Sequence, residues 1–278
     1  MAHHAPFVRA ILGAWTLAFV AVEDSEFYYE ISGEGPPVVL VTGLAGVASY
    51  WEPNIAELRK HFTVLRYDHR GTGKSVRSER DYSIEMLADD LLGLMDAVGF
   101  ERASLIGHST GGAIGQVLAA RYPERIDRLV LYGTWATLCP QMRLCMELRL
   151  NLLDAYGVAK YHEASPIFLY PPRFVSDQWD RIARDLVAAV ANSTTPSILK
   201  ARVAAVVDFD GSSYLPDIES TTLILVAQDD ILTPAGCSEE LARGIPHATL
   251  KVLSDGAHAV SHCDPKTFND TVIAFLTV

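Results

Sequence analysis

No run of lysine and arginine interrupts the 278-residue chain, whose 23 basic side chains are outnumbered by 34 acidic ones for a formal net charge of −11. Such a surface repels polyphosphates, which excludes nucleic acid and an anionic membrane surface as partners. Cysteine is scarce. Cys139, Cys145, Cys237 and Cys263 show no C-x-x-C spacing and no zinc-like cluster. They read as free thiols in a reducing, cytoplasmic compartment; Cys139 and Cys145 lie close enough to bridge, but nothing requires it. No apolar stretch reaches the roughly 20 residues that cross a bilayer. A G-x-G-x-x-G pattern is missing too: Gly43 and Gly46 are three apart and no helix starts directly after them. A nucleotide cofactor is therefore not expected, and neither is a metal. There is no internal repeat, no low-complexity tract and no Gly/Ser linker. The length suits one large α/β domain, or one domain with an insertion.

Short apolar runs alternate with helical patterns. The runs are Pro37 to Val41, Phe62 to Tyr67, Ala103 to Ile106 and Leu129 to Tyr132, then Leu223 to Val226 and Leu250 to Leu253. Apolar runs without polar alternation are how strands covered on both faces read. Upstream, Thr16 to Val22, the polar Glu23-Asp24-Ser25-Glu26 and Phe27 to Ile31 read as strand, turn, strand. Between the later runs, Leu87, Leu91, Leu94 and Val98 recur at helical spacing, with Ser83 as a cap and Gly99 as a stop. This alternation predicts a mostly parallel, doubly wound sheet. It breaks between about Thr134 and Ile218, where Met142 to Tyr156, Ser176 to Ala191 and Thr195 to Val207 read as helices with Pro166, Pro171 and Pro172 at the bends. The expected organisation is a core of residues 15–134 and 219–278, a helical cap of residues 135–218, and an N-terminal extension of residues 1–14 in which His3 and His4 are too few for a metal site.

The chemistry centres on Gly107-His108-Ser109-Thr110-Gly111. An apolar strand precedes it and a small-residue helix follows, the strand–turn–helix context of a nucleophile elbow. The turn forces Ser109 into a strained backbone, and the flanking glycines relieve the crowding. A serine hydroxyl needs a base, and a base works best when a carboxylate orients it. Past the strand Leu223 to Val226 come Asp229 and Asp230; past the last strand comes His258, in Ser254-Asp255-Gly256-Ala257-His258. Asp230 and Asp229 are both candidates for that carboxylate. His262 is the rival base, closer to the final helix, where a capping role suits it better. His108 is expected to pack beneath the elbow, and His69 to support its loop. Asp68 and Arg70 are expected to serve the structure, paired with each other or with a neighbour. Gly43-Leu44-Ala45-Gly46 follows a strand, where a second oxyanion donor belongs. The backbone N–H groups of Leu44 and Thr110 are the expected pair, each such donor worth on the order of 3 kcal/mol. Gly43, Trp135 and Tyr170 are candidate pocket residues, with a plain core role as the alternative for the two aromatics.

Thr42-Gly43-Leu44, Asp68-His69-Arg70-Gly71-Thr72-Gly73, the elbow, Asp230 with Pro234, and Gly256-Ala257-His258 together resemble the α/β-hydrolase superfamily from about Phe27 to Phe275. The order Ser, Asp, His is that family's order, and the resemblance, with a proline four residues after the acid as Pro234 stands here, implies Asp230 over Asp229. Ser49-Tyr50-Trp51-x-Pro53, Phe168-Leu169-Tyr170-Pro171 and the stretch from Asp229 to Leu241 look most similar to the aminoacrylate hydrolase group of the pyrimidine-utilisation pathway. The resemblance implies a hydrolase on an α/β-hydrolase fold with a helical cap. That group is thought to help break an enamine acid into a carbonyl acid and ammonia. Some of its members carry no serine at the elbow, whereas Ser109 completes a triad here. The expectation is a serine hydrolase of small carboxylic esters, lactones or related C–N substrates. Enamine or C–C bond hydrolysis is the alternative, and a non-catalytic ligand receptor the remote one. The expected partner is a small-molecule substrate; a homodimer stays open.

Overall fold

Eight strands form one sheet in the order β1-β2-β4-β3-β5-β6-β7-β8. They are β1 (Thr16–Val22), β2 (Ser25–Ser32), β3 (Pro37–Val41), β4 (Thr63–Tyr67), β5 (Ala103–His108), β6 (Ile126–Tyr132), β7 (Thr221–Ala227) and β8 (Ala248–Leu253). The structure is a computed structural model and describes residues 16–278; the extension of residues 1–14 lies outside them. β1 and β2 pair antiparallel as a hairpin, β2 runs antiparallel to β4, and every other neighbour is parallel. This is the mostly parallel sheet that the alternation predicts.

Successive residues of a strand point to opposite faces, so the central strands feed two cores. Val39, Leu65, Leu105 and Leu131 enter one. Val38, Leu40, Val64, Ile106 and Val130 enter the other. The first core lies under α2 (Ile84–Ala97) and α3 (Thr110–Arg121), the second under α1 (Glu52–Leu58) and, at the chain's end, α11 (Pro265–Leu276). Ser83 caps α2 by accepting the Met86 N–H at 3.1 Å.

Between β6 and β7 the chain forms α4 (Pro140–Glu163), α5 (Ser165–Leu169), α6 (Pro172–Asp177), α7 (Trp179–Ala191) and α8 (Pro196–Asp208). A proline in the first turn of α4, α5, α6 and α8 starts each helix where its missing N–H costs nothing. Gly157, at φ 78°, breaks α4 just after Tyr156. α5 packs on the Ala257–Ala259 turn. This helical segment, the expected cap, thus meets the loop after β8 and, through Arg202 and the Leu44 carbonyl, the loop after β3. The chain closes with α9 (Ala235–Gly244), β8, α10 (Val260–Cys263) and α11. No helix among the described residues is long and apolar enough to cross a membrane.

Candidate active site

Ser109 stands between β5 and α3 with φ 53° and ψ −119°. A non-glycine residue held there costs about 1–3 kcal/mol, and the surroundings must enforce it. They do so through tight contacts. A Cβ on Gly107 would fall 2.4 Å from the Gly111 carbonyl oxygen, and one on Gly111 would fall 2.2 Å from that of Val41. The Ser109 carbonyl accepts from the N–H of Gly112 at 2.8 Å and from Thr134 Oγ1 at 2.8 Å, and its N–H donates to the Tyr132 carbonyl at 2.9 Å. All backbone polarity at the serine is thus used, while its Oγ makes no hydrogen bond among the described residues.

His258 Nδ1 lies 2.8 Å from Asp230 Oδ2. Both side chains are 1% exposed. A carboxylate only accepts, so Nδ1 carries the proton and, in the neutral ring, Nε2 is left bare. The rest of Asp230 is saturated: Oδ1 accepts from the N–H groups of Leu232 at 2.8 Å and Thr233 at 2.9 Å, and Oδ2 also accepts from Thr233 Oγ1 at 2.8 Å. Asp229 does something else. Its Oδ1 accepts from the Ala257 N–H at 2.8 Å and so braces the turn that carries His258. The His258 carbonyl is fixed twice more, by His108 Nε2 at 2.9 Å and by the Tyr132 hydroxyl at 3.0 Å.

His108 packs beneath the elbow, its ring stacked on Tyr50 at 4.6 Å. Burial, and then the His258 ring, hold its pKa well below the usual 6.5, so it stays neutral. His262 spends Nε2 on the Tyr50 carbonyl at 2.6 Å, and burial lowers its pKa to about 4.

The Gly43 to Gly46 segment is a tight turn closed by the Gly46 N–H on the Gly43 carbonyl at 3.0 Å. A Cβ on Gly43 would lie 3.1 Å from Ser109 Cβ, which places the turn against the elbow. The Leu44 and Thr110 N–H groups donate to nothing among the described residues. The Leu44 carbonyl, in contrast, is held by α8: Arg202 Nη2 donates to it at 3.0 Å and Nε at 3.2 Å. Arg202 also donates to the Arg70 carbonyl at 3.0 Å and lies 3.2 Å from His69 Nδ1. Burial lowers the Arg202 pKa to about 10, which leaves it charged at neutral pH. His69 passes the restraint on to Thr42 Oγ1 at 3.4 Å. Asp68 does not pair with Arg70. It accepts from the N–H groups of Ala48 at 2.7 Å and Lys74 at 2.8 Å, while Arg70 pairs with Asp90 and Asp24.

Of the candidate pocket aromatics, Tyr170 follows α5 with its ring 6.4 Å from that of His262. Trp135 has no exposed surface and packs edge-on to Phe209 in the core. Its carbonyl accepts from Gln116 Nε2 of α3 at 3.0 Å, which fits the plain core role that is the alternative for it. Reading the sequence alone passes over Thr233, Tyr132 and Arg202. Thr233, directly before Pro234, and Arg202, a lone charge on the apolar face of Ile198, Leu199, Val203 and Val206, carry a local signal. Tyr132 carries none beyond its place at a strand end.

A family model described as "alpha/beta hydrolase fold" matches residues 36–157. A protein named "Putative carbamate hydrolase RutD", from Caulobacter sp. (strain K31), is 37% identical over 256 residues, covering 90% of this chain and 95% of its own length. The protein of the same name from Pantoea ananatis (strain LMG 20103) is 38% identical over 254 residues, covering 90% and 92%. The crystal structure of the enol-lactonase from Burkholderia xenovorans LB400 superposes with a TM-score of 0.86 at 30% identity, over 94% of this chain and all of that one.

Proposed function

Because the chain belongs to the α/β-hydrolase family, we propose that it is a serine hydrolase working through an acyl-enzyme on small carboxylic esters, lactones or related C–N substrates. The observation that carries this reading is the buried 2.8 Å bond from His258 Nδ1 to Asp230, with Nε2 left bare and Ser109 on a strained elbow beside the Gly43 turn. Ser109 Oγ attacks the substrate carbonyl and gives its proton to His258 Nε2. Asp230 holds the imidazole in the required tautomer and stabilises its charged form. Negative charge builds on the carbonyl oxygen, and the Leu44 and Thr110 N–H groups receive it without reorganising. His258 then protonates the leaving group. Water attacks the acyl-enzyme by the reverse sequence, which frees the acid and restores Ser109. Gly43 keeps the space beside the nucleophile open, and Tyr170, beside His262, is the candidate pocket aromatic. The four free thiols accord with a reducing, cytoplasmic setting.

The test is covalent labelling with a fluorophosphonate, located by peptide mass spectrometry, beside turnover of p-nitrophenyl acetate. Ser109→Ala is expected to abolish the label and lower kcat by about 10⁴-fold or more, with an unchanged melting curve. A label at another residue, or undiminished turnover, would refute the role given to Ser109. A second reading, C–N bond hydrolysis of a carbamate or enamine acid, is favoured by the similarity to the RutD proteins. Ammonia release from aminoacrylate, set beside ester turnover by the same preparation, separates the two.

A further inference from the structure

The inner face of α4 is an apolar stripe with one charge in it. Met142, Cys145, Met146, Arg149 and Leu153 are its buried residues before the break at Gly157, at the spacing of one helix face. Arg149 is 8% exposed. Among the described residues no carboxylate lies within salt-bridge distance of it. Its Nη2 donates to the Tyr161 hydroxyl at 3.0 Å. Nε is buried and has no partner, and Nη1 donates to nothing among the described residues. The guanidinium carbon lies 4.7 Å from the Tyr161 ring centroid and 5.8 Å from that of Phe168. An arginine has five N–H donors, and most of these are unspent.

A buried charge without a counter-ion is costly, by several kcal/mol in general. The chain supplies carboxylates to its other deeply buried arginines at the sheet and withholds one here. Position explains the difference. One turn before Arg149, Cys145 Sγ lies 3.9 Å from the Ile231 carbonyl, on the residue after Asp230. Phe168, under the guanidinium, belongs to α5, which packs on the turn bearing His258. The unspent donors therefore belong to the cap segment that meets both turns, the one carrying Asp230 and the one carrying His258. The neighbouring His162 adds no competing charge: burial, and then Arg149 itself, lower its pKa to about 4.

We propose that Arg149 receives an anionic group of the substrate, a carboxylate remote from the bond that Ser109 attacks. The natural substrates are then monoanions, such as hemiesters of dicarboxylic acids or carboxylated lactones, with the acid anchored in the cap and the scissile carbonyl at the elbow. The proposal rests on the serine-hydrolase reading above and narrows it.

The experiment compares p-nitrophenyl hemisuccinate with p-nitrophenyl butyrate, near-isosteres that differ in one carboxylate. The wild type is expected to prefer the hemiester. Arg149→Met is expected to lower the ratio of kcat/KM, hemiester over butyrate, by about ten- to a hundredfold, mostly through KM, and Arg149→Lys to recover part of it. A ratio unaltered by Arg149→Met overturns the proposal. If that variant does not fold, competitive inhibition of wild-type butyrate turnover by succinate decides: its absence overturns the proposal. If the wild type cleaves neither ester, the serine reading has failed, and calorimetric binding of succinate decides the anion site by itself. Binding that weakens in Arg149→Lys supports the site, and no binding by the wild type removes it.

Discussion

Arg66 and Arg70 on the sheet side, and Arg149 and Arg202 in the cap, are all nearly enclosed, yet they are neutralised in opposite ways. Arg66 meets Glu30 at 2.5 Å and Glu52 at 2.7 Å, and Arg70 meets Asp90 at 2.5 Å and Asp24 at 2.7 Å. Arg202 meets two backbone carbonyls and an imidazole, and Arg149 a phenol and two aromatic faces. A carboxylate-matched arginine holds loops in place and has nothing left to offer. An arginine without one takes its partners from carbonyls, hydroxyls and rings. The sheet thus carries a finished framework, in which Asp230 too is saturated by its own turn, and the cap carries unfinished polarity.

The contrast breaks if a core substitution proves no worse than a cap substitution. After Ser109→Ala, the largest expected loss is at Asp230. Asp230→Asn should lower kcat by about 10³- to 10⁴-fold, because an amide cannot fix the His258 tautomer. Steady-state kinetics on p-nitrophenyl acetate checks it.

Next is a stability effect, in which core and cap are expected to match. His262 in the core and His162 in the cap both have folded pKa values of about 4, below the unfolded value near 6.5. Below pH 6.5 the unfolded chain takes up protons that the folded chain refuses. Stability is therefore full above pH 6.5 and falls as pH drops toward 4, by about 2 kcal/mol per histidine at pH 5. Urea midpoints at pH 7 and pH 5 measure this. His162→Gln and His262→Gln should each reduce the pH 7 to pH 5 difference by similar amounts, and unequal reductions would sharpen the division between the two regions.

Arg202→Met is the smallest of the set. It frees the Leu44 carbonyl without removing the Leu44 N–H, the proposed oxyanion donor, so kcat should fall by about ten- to thirtyfold with KM nearly constant. A loss in KM alone would make Arg202 a substrate contact and not a positioning residue.

How much of this is written locally follows from what each residue needs. Gly107 and Gly111 are legible because the elbow's crowding admits nothing larger, and the strands because residues covered on both faces must be apolar. Pro140 and Pro196 start α4 and α8 within two residues of the expected Met142 and Thr195, while Pro172, read as a bend, starts α6. The break at Gly157 is visible only as the end of a helical pattern near Tyr156. Trp135 is ambiguous in the sequence, since a position just past a strand end suits a pocket wall and a core residue equally. Arg202 reaches Leu44 across 158 residues, and the Tyr132 hydroxyl reaches the His258 carbonyl across 126. No spacing rule encodes partners that far apart; they exist only once the sheet order has brought the loops to one edge.

The bond from α8 to the Leu44 carbonyl has a practical corollary for engineering. Replacing residues 135–218 wholesale with the lid of another hydrolase would exchange the specificity surface and also remove the peg that aligns the loop at residues 43–46. A chimera that retains a guanidinium at the position of Arg202 should inherit the donor's selectivity at useful speed. One that omits it should bind its new ligand and turn it over sluggishly.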